Sequence, residues 1–198
     1  MAQACETPAG YSQPTIQSPF PQEQPYEGFM RIFVCGLLLG VFGILVVTAV
    51  VLWFGYIPIA ATSDPSRWET LIGRRALASA VARQAPKLEN PVPPTSDNLR
   101  LGLKVYRDGC SGCHGDAANS SRWGTSGFYP RVPQFDVEPP VKPEWQLFWI
   151  VKHGVRYTGM GAWETLTPDE NIWRVVGFLS HLHNLPAEVD AEWRHASR

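Results

Sequence analysis

Cysteine and methionine are scarce in this sequence, four and three in 198 residues, and its charges nearly cancel to a formal net of −1. Cys5 and Cys35 lie before and inside a long apolar run, so no disulfide framework of the small secreted kind can be built. No second Cys or His pair stands at a suitable spacing from Cys110 and Cys113, so a structural zinc site would lack half its ligands. The balanced charge leaves neither a basic footprint for nucleic acid nor an acidic tail. Met1 and Met30 belong to the N-terminal end, which leaves Met160 as the single thioether of the C-terminal half. Charge is nearly missing from Phe29 to Ile57, where Arg31 alone interrupts the apolar run. That run exceeds the ~20 residues a helix needs to cross a bilayer and the ~7–15 of a signal-peptide core.

What is present instead is Cys110-Ser111-Gly112-Cys113-His114. The order C-x-x-C-H is that of covalent haem attachment, with two thiols becoming thioethers and the histidine an axial iron ligand. Two cysteines three positions apart on a helical turn can reach the two vinyl groups of one porphyrin, and the adjacent histidine is then swung under the iron. A thioredoxin-like redox pair would follow a buried strand, whereas a helical pattern precedes this one. One covalent haem c is the cofactor expected.

Around that motif the chain divides into segments. Residues 1–28, rich in Pro, Gln and Ser, read as an extended, disordered cytoplasmic tail. Residues 29–57 read as an uncleaved transmembrane helix, with Gly36 and Gly40 spaced for close packing on another helix and Gly43 near the same face. Trp53, Tyr56 and Pro58 mark its interfacial end. Arginines on both sides fail to orient it. The haem does, because attachment follows export: a single pass of the inner membrane, N-terminus cytoplasmic, haem domain periplasmic. Residues 58–95 begin with an Asp64-Pro65 cap on an amphipathic helix carrying Trp68, Leu71, Ile72, Leu77 and Val81, suited to a membrane surface, a partner or plain solvent. A stiff proline-rich linker follows over Pro86–Thr95.

Residues 96–186 form the globular domain. Its first helix opens at a Ser96-Asp97 cap and runs into the haem motif; residues 115–143 read as loops. A helix starts at Pro143-Glu144 and stops at Gly154, and Thr167-Pro168-Asp169-Glu170 opens the last long helix. Residues 187–198 read as a C-terminal tail. Met160, between glycines in Gly159-Met160-Gly161, is the candidate second axial ligand, since glycine lets backbone approach a porphyrin closely. Core filling is its bland alternative. His153, His181, His183 and His195 compete for the iron, His153 foremost, at the end of a helix whose dipole suits its charge.

Over roughly residues 97–185 the chain resembles class I cytochrome c. The resemblance is carried by Gly102 and Tyr106, by Cys110 to His114, by Met160 in Gly-Met-x-Ala-Trp, and by Val175-Val176-Gly177-Phe178-Leu179. Tyr129 to Phe135 and Asn90 to Pro93 are similar to segments of membrane-associated bacterial monohaem cytochromes. The resemblance implies a mainly α architecture, an N-terminal transmembrane helix plus a small all-α cytochrome c domain whose first and last helices cross at glycine. It implies a proline carbonyl on His114, with Pro130 the candidate and Pro133 second, and a haem propionate met by Arg131 or Trp123. With His114 and Met160 both on iron, no site is left for substrate, and one-electron transfer follows. The chain would carry electrons within or between respiratory or photosynthetic complexes, as part of an integral membrane complex or with a soluble carrier, and not act as an enzyme by itself. The alternative is an assembly and relay subunit of a larger oxidoreductase, such as an alternative complex III type quinol oxidoreductase, an oxidase or a dehydrogenase. A catalytic reading requires Met160 to be off the iron. Cytochrome c1 fits less well, since that family carries its anchor after the haem domain.

Overall fold

The computed structural model describes residues 26–195, apart from the side chain of Glu27. The tail expected over 1–28 therefore lies almost wholly outside the described residues. Those residues are helical, with no strand among them, and the chain forms two compact units that part between Ile57 and Pro58.

The first unit holds α1 (Tyr26–Trp53), of which Gly28–Trp53 is long and apolar enough to cross a membrane. The helix starts three residues before the predicted span and ends four short of it, because Gly55 takes a positive φ of 69° that L-residues rarely adopt. A Cβ added at Gly36, Gly40 or Gly43 meets nothing within 4 Å, so that small-residue face is open along its length.

The second unit begins with α2 (Arg67–Gln84). Its cap is Ser66, not the predicted Asp64: the Ser66 hydroxyl accepts from the Glu69 amide at 3.2 Å. Asp64 is drawn instead to Arg131, at 3.2 Å. The C-terminal end of α2 buries Val81 and Ala85 and packs on α6 (Glu144–His153). The proline-rich linker is also docked. The Asn90 side-chain amide donates to the Trp173 carbonyl at 3.3 Å while its oxygen accepts from the Val92 amide at 2.9 Å.

The core is built on the crossing of α3 (Ser96–Gly109) with α7 (Asp169–Ser180), as the resemblance implied. Thr95 caps α3, one residue before the predicted position, accepting from the Asn98 amide. At the crossing it is Gly102 that admits the neighbour: a Cβ there would lie 2.2 Å from the Arg174 carbonyl oxygen. Gly177 faces the linker, with its nearest neighbour the Asn90 amide nitrogen. Tyr106 lies beside the crossing, its ring 5.7 Å from Phe178 and its hydroxyl donating to the Gly115 carbonyl at 2.7 Å. Burial pushes its phenol far above the ordinary value, so that donor stays protonated.

Residues 187–198, expected as a tail, carry instead a helix, α8 (Ala187–His195). Val189 and Trp193, one turn apart, are buried, and the indole meets Tyr106 and Phe178 edge-on at 5.5 Å. Arg100 of α3 joins Glu188 and Glu192 on the outer side of this contact. The third ring of this cluster thus comes from α8, nearly 90 residues after Tyr106, a separation that hides the contact from local pattern.

Candidate haem site

α3 ends at Cys110, and Cys110 starts the single turn α4 (Ser111–His114). The amides of Cys113 and His114 both donate to the Cys110 carbonyl, at 3.1 and 2.9 Å, so the pentapeptide is one helical turn. At spacing i, i+3 the two sulfurs share a side of it. Both cysteines are free thiols. Burial pushes the Cys110 thiol up to about 12, with Cys113 adding to the shift. A redox-active Cys-X-X-Cys pair carries a lowered thiol, the opposite of the shift at Cys110.

His114 is oriented from three sides. Its Nδ1 lies 2.9 Å from the Pro133 carbonyl, which takes up that nitrogen and leaves Nε2 for a metal. Its ring stacks on Phe135 with centroids 4.3 Å apart and 12° between planes. Its carbonyl accepts from the Phe135 amide at 3.0 Å. Burial lowers the imidazole's proton affinity, partly offset by the Pro133 contact, and a neutral ring is what a metal requires.

Gln134 sits between those two contacts. Its side-chain amide donates to the carbonyls of Cys113 at 3.0 Å and Val132 at 2.8 Å, and its oxygen accepts from the Ser121 amide at 2.7 Å. One side chain thus ties the haem turn, α5 (Arg122–Ser126) and the segment that carries Pro133 and Phe135. Nothing in the sequence marks it, since its partners Cys113 and Ser121 come from the fold. We expect Gln134→Ala to destabilise the haem-loaded protein by about 1–3 kcal/mol, the cost of stranding half-buried amide partners. Thermal melting followed in the haem band measures it; an unchanged midpoint would show that water replaces the side chain.

Met160 lies on a loop closed upon itself. The Val155 amide donates to the Met160 carbonyl at 2.9 Å, and the Met160 amide to the Thr158 hydroxyl at 3.1 Å. Gly154, with φ of 68°, ends α6 against this loop: a Cβ there would sit 2.7 Å from the Met160 carbonyl oxygen. Two contacts tie the loop down, one beside the haem motif and one at Phe128. Trp163 covers Gly109, the residue before Cys110, so closely that a Cβ on Gly109 would fall inside the indole, and Phe128 touches Gly159 in the same way. The methionine is half-buried against the cluster of Leu147, Phe148, Val151 and Trp173.

Residues 97–179 match the family of cytochrome c oxidase, cbb3-type, subunit III. These residues are a class I c-type cytochrome domain. No curated relative matches the chain. A domain of this kind carries covalently bound haem c, and the donor set on these elements fits it: two free thiols on one side of a turn, an imidazole with only Nε2 unclaimed, and a thioether on a loop docked to that turn.

Three of the expected contacts of the cytochrome domain need revision or placing. The carbonyl on His114 belongs to Pro133, not Pro130, because the amide of Phe135 is pinned to the His114 carbonyl and brings the nearer proline over the ring. Arg131, expected at a propionate, is otherwise engaged. Its Nη1 donates to the carbonyls of Ala61, Ser126 and Phe128, and its Nη2 to those of Thr62 and Ser63 and to Asp64. Trp123 is 63% exposed and leans on Phe128 at 4.7 Å, which puts it near the Met160 loop through that ring. His153 points to Glu164 at 3.4 Å, and the His181 Nδ1 is 2.8 Å from the carbonyl of Gly177. Arg131→Ala should cost about 1–2 kcal/mol and speed protease cleavage at 58–66, with Arg131→Lys restoring only part of the protection, since an ammonium cannot fork over several carbonyls.

Proposed function

We propose that this chain is a membrane-anchored electron carrier in which one haem c is held through Cys110 and Cys113 and ligated by His114 and Met160. The observation that carries the reading is the donor set of the cytochrome domain: Nδ1 of His114 is consumed by Pro133, and the Met160 loop is fastened through Trp163 to Gly109, the residue before Cys110, and through Gly159 to Phe128. With both axial positions filled, the bound haem supplies a reversible one-electron couple and no open iron. The protein's share is burial, exclusion of water and a fixed pair of ligands, which hold the geometry nearly constant between oxidation states. Trp123, exposed at the Phe128 side, is a candidate donor to a propionate.

α1 is the anchor, a single pass of the inner membrane with the haem domain on the periplasmic side, where haem attachment takes place. The partners are an integral membrane complex of a respiratory or photosynthetic chain and, on the exposed side, a soluble carrier. A second reading, a relay subunit fixed within a larger oxidoreductase, is favoured by docked connections: Arg131 holds residues 61–64 and Asn90 holds the proline-rich linker against the cytochrome domain. Spheroplasts and inside-out vesicles test the anchoring: protease added to spheroplasts should release the haem-staining fragment, and protease added to inside-out vesicles should spare it. In respiring membranes the haem should be reduced by substrate and reoxidised by oxygen within turnover. A haem that stays in one redox state through turnover would end the carrier assignment.

A further inference from the structure

The outward side of α2 has the wrong character for solvent. The helix buries Val81 and Ala85 and half-buries Thr70 and Leu77 on the side that meets the rest of its unit. At about 100° per residue, Trp68, Ile72, Arg75 and Ser79 fall on the opposite side. Such a position on a surface helix is ordinarily polar. Here Trp68 is 74%, Ile72 65% and the adjoining Leu71 57% exposed. Arg67, Arg74, Arg75 and Arg83 are exposed too, and none of them takes part in an ion pair among the described residues. Glu69, the helix's only acid, is hydrogen-bonded to Tyr129. By the same angles Arg75 and Arg83 fall on the outward side with this uncovered aromatic and aliphatic patch, while Arg67 and Arg74 stand nearer the packed side, and the helix as a whole carries four cations against one acid.

We infer that this side of α2 lies in the headgroup region of an anionic bilayer, an inference that rests on the reading of α1 as the anchor. Tryptophan and branched aliphatics suit the boundary between headgroups and acyl chains, while guanidinium groups pair with lipid phosphates and lay their stems along apolar surface. The covalent chain adds an argument from reach. Phe54 to Ser66 is a thirteen-residue connection, which at ~3.5 Å per residue keeps the start of α2 within about 45 Å of the end of α1. A lipid surface is therefore always at hand, whereas an acidic protein must be recruited. Since α2 is packed on α6 and tied through Tyr129, docking it restricts how the cytochrome domain stands over the membrane.

The test uses the full haem-loaded chain in phosphatidylcholine vesicles with and without phosphatidylglycerol. Cys5 and Cys35 are replaced by serine, and a nitroxide is placed on Ile72→Cys, with Leu45→Cys in α1 and Lys104→Cys on an exposed part of α3 as references. With phosphatidylglycerol present, the label at 72 should collide more often with oxygen than with an aqueous nickel complex, and the label at 104 the reverse. Glutamine at 75 and 83 should abolish the lipid reading at 72 while leaving the haem spectrum unchanged. A label at 45 in lipid with a label at 72 open to nickel overturns the inference and leaves the anchor standing. Shielding of 72 from both colliders points to a protein contact and also overturns it. Equal immersion without phosphatidylglycerol, indifferent to the arginines, removes the anionic lipid from it. A label at 45 in water sinks the anchor itself.

Discussion

Met160→Ala should abolish the weak sulfur-to-iron absorption band at the red end of the oxidised spectrum and let carbon monoxide bind the reduced protein. The potential should fall by on the order of 0.1 V, within the ~0.8 V that axial ligands span. The effect is large because no neighbour is free to substitute. The loop is closed by the Val155 to Met160 and Met160 to Thr158 hydrogen bonds and pressed on Gly154, so it cannot slide another side chain into the vacated place. His153, the foremost competitor in the sequence, is held toward Glu164 on the surface. Spectra of the solubilised protein before and after the substitution decide the matter. Ready binding of carbon monoxide by the unmutated protein would mean that Met160 is off the iron, and the catalytic reading would return.

Gly102→Val should prevent stable folding of the cytochrome domain or lower its stability by at least ~3 kcal/mol, the range of severe overpacking. A single added carbon would meet the Arg174 carbonyl oxygen at 2.2 Å and the Phe178 Cβ at 2.9 Å, both parts of α7 that cannot swing aside. Relief requires the two helices to separate, and Tyr106, Phe178 and Trp193 would then lose their mutual contacts. For a domain of this size the loss corresponds to a fall in melting temperature on the order of 10 °C or more. Circular dichroism on the haem-loaded protein reads it, with Gly73→Ala on α2 as the comparison, since a Cβ at Gly73 meets nothing within 4 Å. Equal melting of the two variants would place the tight crossing elsewhere.

Much of this protein is written in short stretches. C-x-x-C-H fixes the chemistry because thioether attachment and ligation need those atoms on one turn, and α4 supplies that turn. Helical periodicity and capping residues located α3, α6 and α7 within a residue or two. The apolar run located α1 because hydrocarbon length sets its scale. Val189 and Trp193, four apart, held a signal for α8 that acidic and basic neighbours concealed.

What only the tertiary structure decided are the contacts between distant segments, whose partners no local pattern can choose. Pro133 and not Pro130 faces His114 because Phe135 and Gln134 are pinned to the haem turn. Arg131 is engaged by the carbonyls at 61–63 because the segment leading into α2 passes beside it. Ser66 caps α2 because Asp64 has gone to that same guanidinium. The sequence by itself determined which atoms could bind a haem and which stretch could cross a membrane. Long-range packing decided which proline faces His114, what holds Arg131 and which residue caps α2, since each of those outcomes depends on what lies across the fold.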